Sequence, residues 1–143
     1  MKRGVAIVVA GLAAMAATAA LAASAHNYSG NVRGSGKIQL RIKRAHGVRK
    51  VTRFDFQHVG LTCNGHHRRT TGNLDFTTRI RHGEFKIRGK NQRGGKIRAR
   101  GHLEHHARTV KGTISFDGTI HVDGDGFAHH CHSGHHHWRA HRL

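Results

Sequence analysis

One extended stretch decides the fold: Val51-Thr-Arg-Phe-Asp-Phe-Gln-His-Val-Gly-Leu-Thr-Cys63, which the turn dipeptide Asn64-Gly65 closes. Neighbouring side chains on a strand point to opposite faces, so Phe54 and Phe56 share one face of this segment. The stretch ends in one of the chain's two cysteines, and the other, Cys131, lies near the C-terminal end. The sequence therefore predicts a central strand that is bonded to a C-terminal strand.

The apolar side chains of this stretch change phase part-way along it. They occupy even positions at Phe54 and Phe56 and odd positions at Leu61 and Cys63. An extra residue in one strand, a β-bulge, shifts the phase in this way. We therefore expect a bulge beside Gly60.

Shorter alternating runs lie on both sides of the stretch. Apolar and polar residues alternate, with glycine or Asn/Asp turns between the runs, at 37–43, 74–80, 85–88, 97–103, 110–122, 127–131 and 135–141. This rhythm predicts an all-β fold, a single antiparallel β-sandwich or flattened barrel of about seven to eight strands over residues 37–143. Unbroken parity across Asp117-Gly118 favours one long bent strand there over a two-residue hairpin.

The first 25 residues resemble a secretory signal peptide. Lys2 and Arg3 precede an uncharged apolar run at 5–21, and Ala23-Ser24-Ala25 is a small-residue cleavage site. We expect a helical signal peptide at 1–25 that is removed, although the apolar run is almost long enough for a retained membrane anchor. Residues 26–36, rich in Ser, Gly and Asn, are then predicted to be a flexible leader. The predicted location is secreted, either extracellular or at the cell envelope, with no transmembrane segment after cleavage.

The two cysteines allow two interpretations. In an exported chain, an oxidising compartment favours a disulfide between Cys63 and Cys131. The alternative is a tetrahedral zinc site made of both cysteines and two nearby histidines. The candidate histidines at acceptable spacing are His66, His67 and His135.

Several short motifs carry a resemblance to a known group of proteins. They are Cys63-Asn-Gly65 after an apolar strand, Gly112-Thr-Ile114, and a terminal Cys-x-Ser-Gly-x-x-x-Trp-x-Ala pattern at 131–140. With them, residues 37–142 resemble small exported actinobacterial-type all-β proteins of unknown function. The resemblance implies a single all-β domain with one disulfide and assigns no catalytic residue. The histidine density exceeds what that group leads us to expect, which leaves a metal role open.

Positive charge is the strongest functional signal. Lys and Arg number 25 against 7 Asp and Glu, which gives a net charge of +18 at pH 7. A field of this sign attracts polyanions in a salt-dependent way. We therefore expect a non-catalytic domain that associates with anionic envelope or matrix polymers, although a merely solvated basic surface is the competing interpretation. The predicted polyanion-binding residues, all on outward faces, are Arg41, Lys43, Arg79, Lys86, Arg88, Lys96, Arg98 and Arg100.

The histidines give the alternative function, metal binding by the C-terminal cluster. On a strand, His135 and His137 share a face opposite Trp138, and neutral imidazoles in this arrangement bind Zn²⁺, Cu²⁺ or Ni²⁺. The competing interpretation is that they are ordinary outward polar residues. The candidate ligands are His66, His129, His135 and His137. No cofactor is predicted beyond adventitious Zn, Cu or Ni.

Catalytic motifs are missing from the sequence. There is no Gly-x-Ser-x-Gly, P-loop or His-Glu-x-x-His, and no pair of acidic residues is spaced as an acid–base dyad. Aromatic side chains point inward except Tyr28, so base stacking and sequence-specific nucleic-acid binding are not expected. The sequence predicts a non-enzymatic monomer.

Overall fold

The computed structural model describes residues 23–74 and 77–143, and this part of the chain is all-β, as predicted. Ten strands form one sheet, more than the about seven to eight expected from the alternating runs. The strands are β1 (Ser24–Val32), β2 (Lys37–Ala45), β3 (Val48–Cys63), β4 (His66–Leu74), β5 (Thr78–Arg79), β6 (Glu84–Lys90), β7 (Lys96–Glu104), β8 (Thr109–His121), β9 (Ala128–His132) and β10 (His136–Arg142).

The strand pairings form a closed circuit, in the order β1-β2-β3-β9-β8-β10 and back to β1. Every pairing in it is antiparallel. β4 and β5 add to the outer edge of β3, and β7 followed by β6 adds to the outer edge of β8. β8 runs unbroken from Thr109 to His121, so the single long strand expected across Asp117-Gly118 is confirmed.

A disulfide between Cys63 and Cys131 bonds β3 to β9, as predicted. The two cysteines are opposite each other in the ladder and both are buried. A bond of this kind is consistent with an extracellular location. It removes both thiolates from the alternative zinc site, so that prediction is wrong.

Aromatic side chains of β3 form the centre of the core. The ring of Phe54 meets that of Trp138 on β10 edge to face, with 5.7 Å between centroids. Phe56 meets Phe116 on β8 in the same way at 5.1 Å. The β3 stretch therefore contacts two strands that are not its neighbours in the circuit, as a strand that organises the core must.

The bulge of β3 falls close to the expected place. The register with β4 shifts between Phe56 and Val59 rather than beside Gly60. His58 has a φ of 52°, a left-handed conformation that suits the extra residue of a bulge. The phase change between Phe56 and Leu61 is thus explained, because both side chains are buried on either side of the bulge.

Residues 26–36 are not a flexible leader, because most of them belong to β1. β1 pairs with β2 on one edge and with β10 on the other, so its backbone groups are satisfied on both sides. Tyr28 and Val32 are buried, and the Tyr28 hydroxyl donates to the Ala107 carbonyl oxygen at 2.6 Å. Tyr28 is therefore a core residue and not the free aromatic that the sequence suggested. Of the predicted signal peptide, residues 1–22 lie outside the described part of the chain.

The basic segment after Asn64-Gly65, which is not among the alternating runs of the sequence, is also a strand. β4 pairs with β3 through eight residue pairs, from Cys63 opposite His66 to Phe54 opposite Leu74. Its one buried polar residue, Thr70, donates to the His121 carbonyl oxygen at 2.8 Å. The free edge of β3 therefore imposes a strand on a segment that has little apolar pattern of its own.

The buried Tyr28 hydroxyl gives a test of how firmly β1 is held. Burial raises the pKa of Tyr28, partly opposed by the charges of Arg142 and Arg49. At neutral pH, Tyr28→Phe should cost about 1 kcal/mol, the worth of one hydrogen bond. Because the pKa of Tyr28 is higher in the folded protein than in the unfolded chain, its stabilising effect is fully present below the unfolded pKa and is lost as pH rises through the folded pKa. The difference in unfolding free energy between the wild type and Tyr28→Phe should therefore narrow above about pH 10.

Urea unfolding of the wild type and of Tyr28→Phe, from neutral pH to above about pH 10, measures this difference in unfolding free energy. Tyr28 is the only tyrosine, so phenolate absorbance reports its titration directly. An equal difference at all pH values, or titration of Tyr28 at the ordinary tyrosine value, would contradict the burial of β1.

Candidate functional site

The outer face of β6 and β7 carries three cross-strand pairs of like charge. All six side chains are exposed and point away from the core. Because like charges directly opposite each other repel, each pair works against the fold. We call these residues the β6–β7 patch. Its opposed pairs are Lys86 with Arg100, Arg88 with Arg98, and Lys90 with Lys96.

A second cationic surface lies on β2, β3 and β5, at another part of the circuit. We call it the β2–β3 patch. Its opposed pairs are Arg41 with Arg53, Lys43 with Lys50, and Lys50 with Arg79. A concavity of about 710 Å³ borders it, lined in part by Lys43 and Arg79. Arg53 is partly neutralised, since its Nε donates to the Asp55 carboxylate at 2.7 Å.

All eight sequence-predicted polyanion residues are exposed, and the structure divides them between the two surfaces. The β2–β3 patch contains Arg41, Lys43 and Arg79. The β6–β7 patch contains the other five, which are Lys86, Arg88, Lys96, Arg98 and Arg100.

A groove of about 810 Å³ crosses the outer face beside the β6–β7 patch. It runs across five neighbouring strands, β6, β7, β8, β10 and β1. Two rows of outward side chains form its walls. The first row consists of Lys86, Arg100, Thr113, His137 and Arg33, and the second row of Glu84, His102, Lys111, Arg139 and Asn31.

Between the two walls lies a row of inward-facing residues whose centre is two glycines. Gly101 and Gly112 are directly opposite each other in the β7–β8 ladder. On the inner side, the ring of Phe85 fills the space at Gly101 and the ring of Trp138 lies over Gly112. The floor of the groove is therefore backbone, with the cations standing on both sides of it.

Three cations of the groove were missed by the sequence analysis: Arg33, Lys111 and Arg139. Alternation along each strand does place Lys111 and Arg139 outward. Nothing in the sequence, however, indicates that β8, β10 and β1 are neighbours of β7, because strand order is set by tertiary pairing. Arg33 was missed because residues 26–36 were predicted to be a leader.

Lys111 is held in place by an acid on its own face. Its Nζ forms an ion pair with the Glu104 carboxylate, beside the groove. This hydrogen bond lowers the pKa of Glu104 below its ordinary value, with smaller help from the charges of Lys111, Arg139 and His105. Glu104 therefore stays ionised at neutral pH, and it positions the Lys111 ammonium.

The four candidate metal ligands are not assembled into one site. Across residues 23–74 and 77–143, no group of three or more His, Cys, Asp or Glu side chains is placed to hold a metal ion. His129 is instead bonded through Nε2 to the Asp125 carboxylate at 2.6 Å. The backbone N–H of Phe127, and next His129, lower the pKa of Asp125. Metal binding by these histidines stays a prediction without an assembled geometry.

Histidines take up further acidic groups elsewhere on the surface. His58 Nδ1 lies 2.7 Å from Asp123 Oδ2, which also accepts a hydrogen bond from the Thr71 hydroxyl at 3.1 Å. His102 Nδ1 lies 3.9 Å from Glu84 Oε1. These contacts occupy the carboxylates of Asp123 and Glu84. Within the described residues, most of the cationic side chains of the two patches have no carboxylate partner.

Comparison with known proteins adds no assignment: no family model, no curated protein and no solved structure matches this chain. Among the described residues there is also no helix with the length and apolarity needed to cross a membrane. The resemblance to small exported actinobacterial-type proteins stays a prediction. The function therefore has to be inferred from the surface itself.

Proposed function

We propose that this protein is a secreted or envelope-associated, non-catalytic β-domain that associates with anionic polymers through its cationic outer faces. The observation that carries the proposal is the ladder of like-charge pairs in the β6–β7 patch, for example Arg88 opposite Arg98. Each such pair costs stability, of the order of 0.2–1 kcal/mol, unless an anion lies between the charges. Phosphate, sulfate or carboxylate groups at the face relieve this repulsion.

Exposure supports an electrostatic role in preference to a structural one. The paired cations of β6 and β7 point into solvent, where they contribute nothing to the core. Most carboxylates in the described part of the chain have other partners, as in the contact of Asp125 with His129, and Asp117 lies opposite Lys96 at the end of the patch. A polyanion that displaces bound counterions from such a face binds in a strongly salt-dependent way.

Charge reversal in the patch tests the proposal. The double variant Arg98→Glu/Arg100→Glu should elute from a phosphate- or sulfate-bearing column at clearly lower salt than the wild type. The slope of log K against log salt should fall by about 0.7–0.9 for each lost contact. The conservative double variant Arg98→Lys/Arg100→Lys keeps the charge and should elute close to the wild type.

Stability measured on the same variants separates binding from folding. In the charge-reversed protein the two introduced carboxylates would lie opposite Arg88 and Lys86. Repulsion then becomes attraction, so this protein should unfold at an equal or higher temperature than the wild type. Weaker retention together with undiminished stability supports the proposal. The proposal would be contradicted if retention of the wild type did not respond to salt, or if Arg98→Glu/Arg100→Glu were retained as strongly as the wild type.

A further inference from the structure

The groove that borders the β6–β7 patch carries cations on both of its walls. Lys86 and Arg100 belong to the first row, Lys111 and Arg139 to the second, and Arg33 to the first again. In this order they come from β6, β7, β8, β10 and the residue that follows β1, one for each strand that the groove crosses. A chain that lies along the glycine floor therefore meets one cation per strand, from one side or the other.

The dimensions of the groove suit one thin chain. Its walls are two residues apart along each strand, a Cβ separation of about 7 Å, and it crosses four strand spacings, about 19 Å in all. A nucleic-acid duplex is too broad, since its major groove alone is about 12 Å wide. A single linear polymer fits, with several of its charged groups inside the groove at once.

The chemistry of the walls favours phosphate over ring-shaped units. Phe85 and Trp138, whose rings lie beneath the groove floor, are each only 3% exposed and offer no ring face for bases to stack on. The guanidinium groups of Arg33, Arg100 and Arg139 present forked donors that match the oxygens of a phosphate. The floor residues point their side chains or Cβ positions inward, so the polymer can approach the backbone of Gly101 and Gly112 closely.

We propose that this groove binds a single linear polymer whose backbone carries repeating phosphate groups, with Lys86, Arg100, Lys111, Arg139 and Arg33 as its successive contacts. This proposal rests on the proposed function and makes it more specific, because it assigns one site and one ligand chemistry. The β2–β3 patch then contributes only a long-range field.

A matched pair of substitutions on β8 tests the site. Thr113 lies in the first wall, opposite Arg100, whereas Ser115 lies outside the groove, opposite Arg98. Thr113→Glu and Ser115→Glu thus add the same charge to the same strand face, each opposite one arginine. Affinity for linear polyphosphate should fall about tenfold or more with Thr113→Glu and by no more than about threefold with Ser115→Glu.

A second pair protects the test against a folding defect. Arg139→Gln removes a cation from the groove and Arg98→Gln removes one outside it. Polyphosphate affinity should fall several-fold more with Arg139→Gln, and thermal unfolding of all four variants shows that they are folded.

The outcomes separate this inference from the proposed function. Equal losses within each pair would overturn the groove and leave general polyanion binding intact. No salt-dependent binding of polyphosphate, sulfated oligosaccharide or single-stranded DNA by the wild type would overturn both. Tighter binding of a sulfated oligosaccharide of the same charge, with the same sensitivity to Thr113→Glu, would keep the site and overturn its assignment to phosphate.

Discussion

Replacing both cysteines, Cys63→Ala with Cys131→Ala, should destabilise the protein by roughly 4 kcal/mol, the value that chain-entropy models give for a loop of this length. The bond closes a loop with a sequence separation of 68. Since small domains have a total stability of about 5–15 kcal/mol, the loss is a large part of what is available. Both sulfurs are buried, so truncation also leaves a small void.

The place of the bond in the sheet determines where the fold should open when the bond is absent. β3 and β9 pair through only two residue pairs, Thr62 with His132 and Cys63 with Cys131. β9 has five pairs with β8 on its other edge. Without the disulfide, the β3–β9 contact is the weakest link of the closed circuit, and the circuit should open there.

Urea unfolding of the wild type and of the double variant gives the difference. Reductant added to the wild type during unfolding is the control, and it should bring the wild type close to the variant. A loss below about 1 kcal/mol would mean that the bond does not constrain the unfolded chain as the entropy model requires.

The parts of the fold that the sequence predicts are those in which burial on one face dictates the pattern. Ile38, Leu40 and Ile42 alternate in β2, and all three are buried. In β8, the apolar parity across Asp117-Gly118 correctly indicates one strand. These predictions succeed because the core selects every second side chain and the surface selects the others.

The strands that the sequence does not predict are β1 and β4, which form because neighbouring strands offer them backbone partners. β1 has glycine at an inward position, Gly30, and its apolar residues are sparse. It is a strand because β2 and β10 both offer backbone partners. β4 is a strand for the same reason, because the free edge of β3 offers it backbone partners. Pairing on a ladder can override weak local preference, and no single-sequence pattern records it.

The candidate site divides in the same way. That Arg98 and Arg100 point outward follows from alternation in β7. That they face Arg88 and Lys86 follows from the β6–β7 register. The groove needs the order β7, β8, β10 and β1 as well, which joins segments far apart in the chain. Its outward charges could thus be predicted, but not their assembly into two walls.

Gly112→Ala should be the most disruptive single substitution at the groove, with a cost above about 3 kcal/mol because overpacking against a rigid neighbour cannot relax. A Cβ at Gly112 would overlap the backbone carbonyl oxygen of Arg100 in the adjacent strand, and would also lie 2.7 Å from Trp138 Cζ2. The β7–β8 ladder would have to separate to accommodate the methyl group. Gly101→Ala meets a different obstacle, since the overlapping atoms belong to the ring of Phe85.

We therefore expect opposite results when each alanine variant is combined with a smaller residue at the neighbouring aromatic position. Phe85→Leu should recover most of the cost of Gly101→Ala, because the smaller side chain vacates the space beside the new methyl group. Trp138→Leu should not recover Gly112→Ala, since the Arg100 carbonyl oxygen remains where it is. Free energies of unfolding for the single and double variants decide the matter. Rescue of Gly112→Ala by Trp138→Leu would mean that the strands around the groove floor can move apart, and hence that the floor is not a fixed backbone surface between two cationic walls.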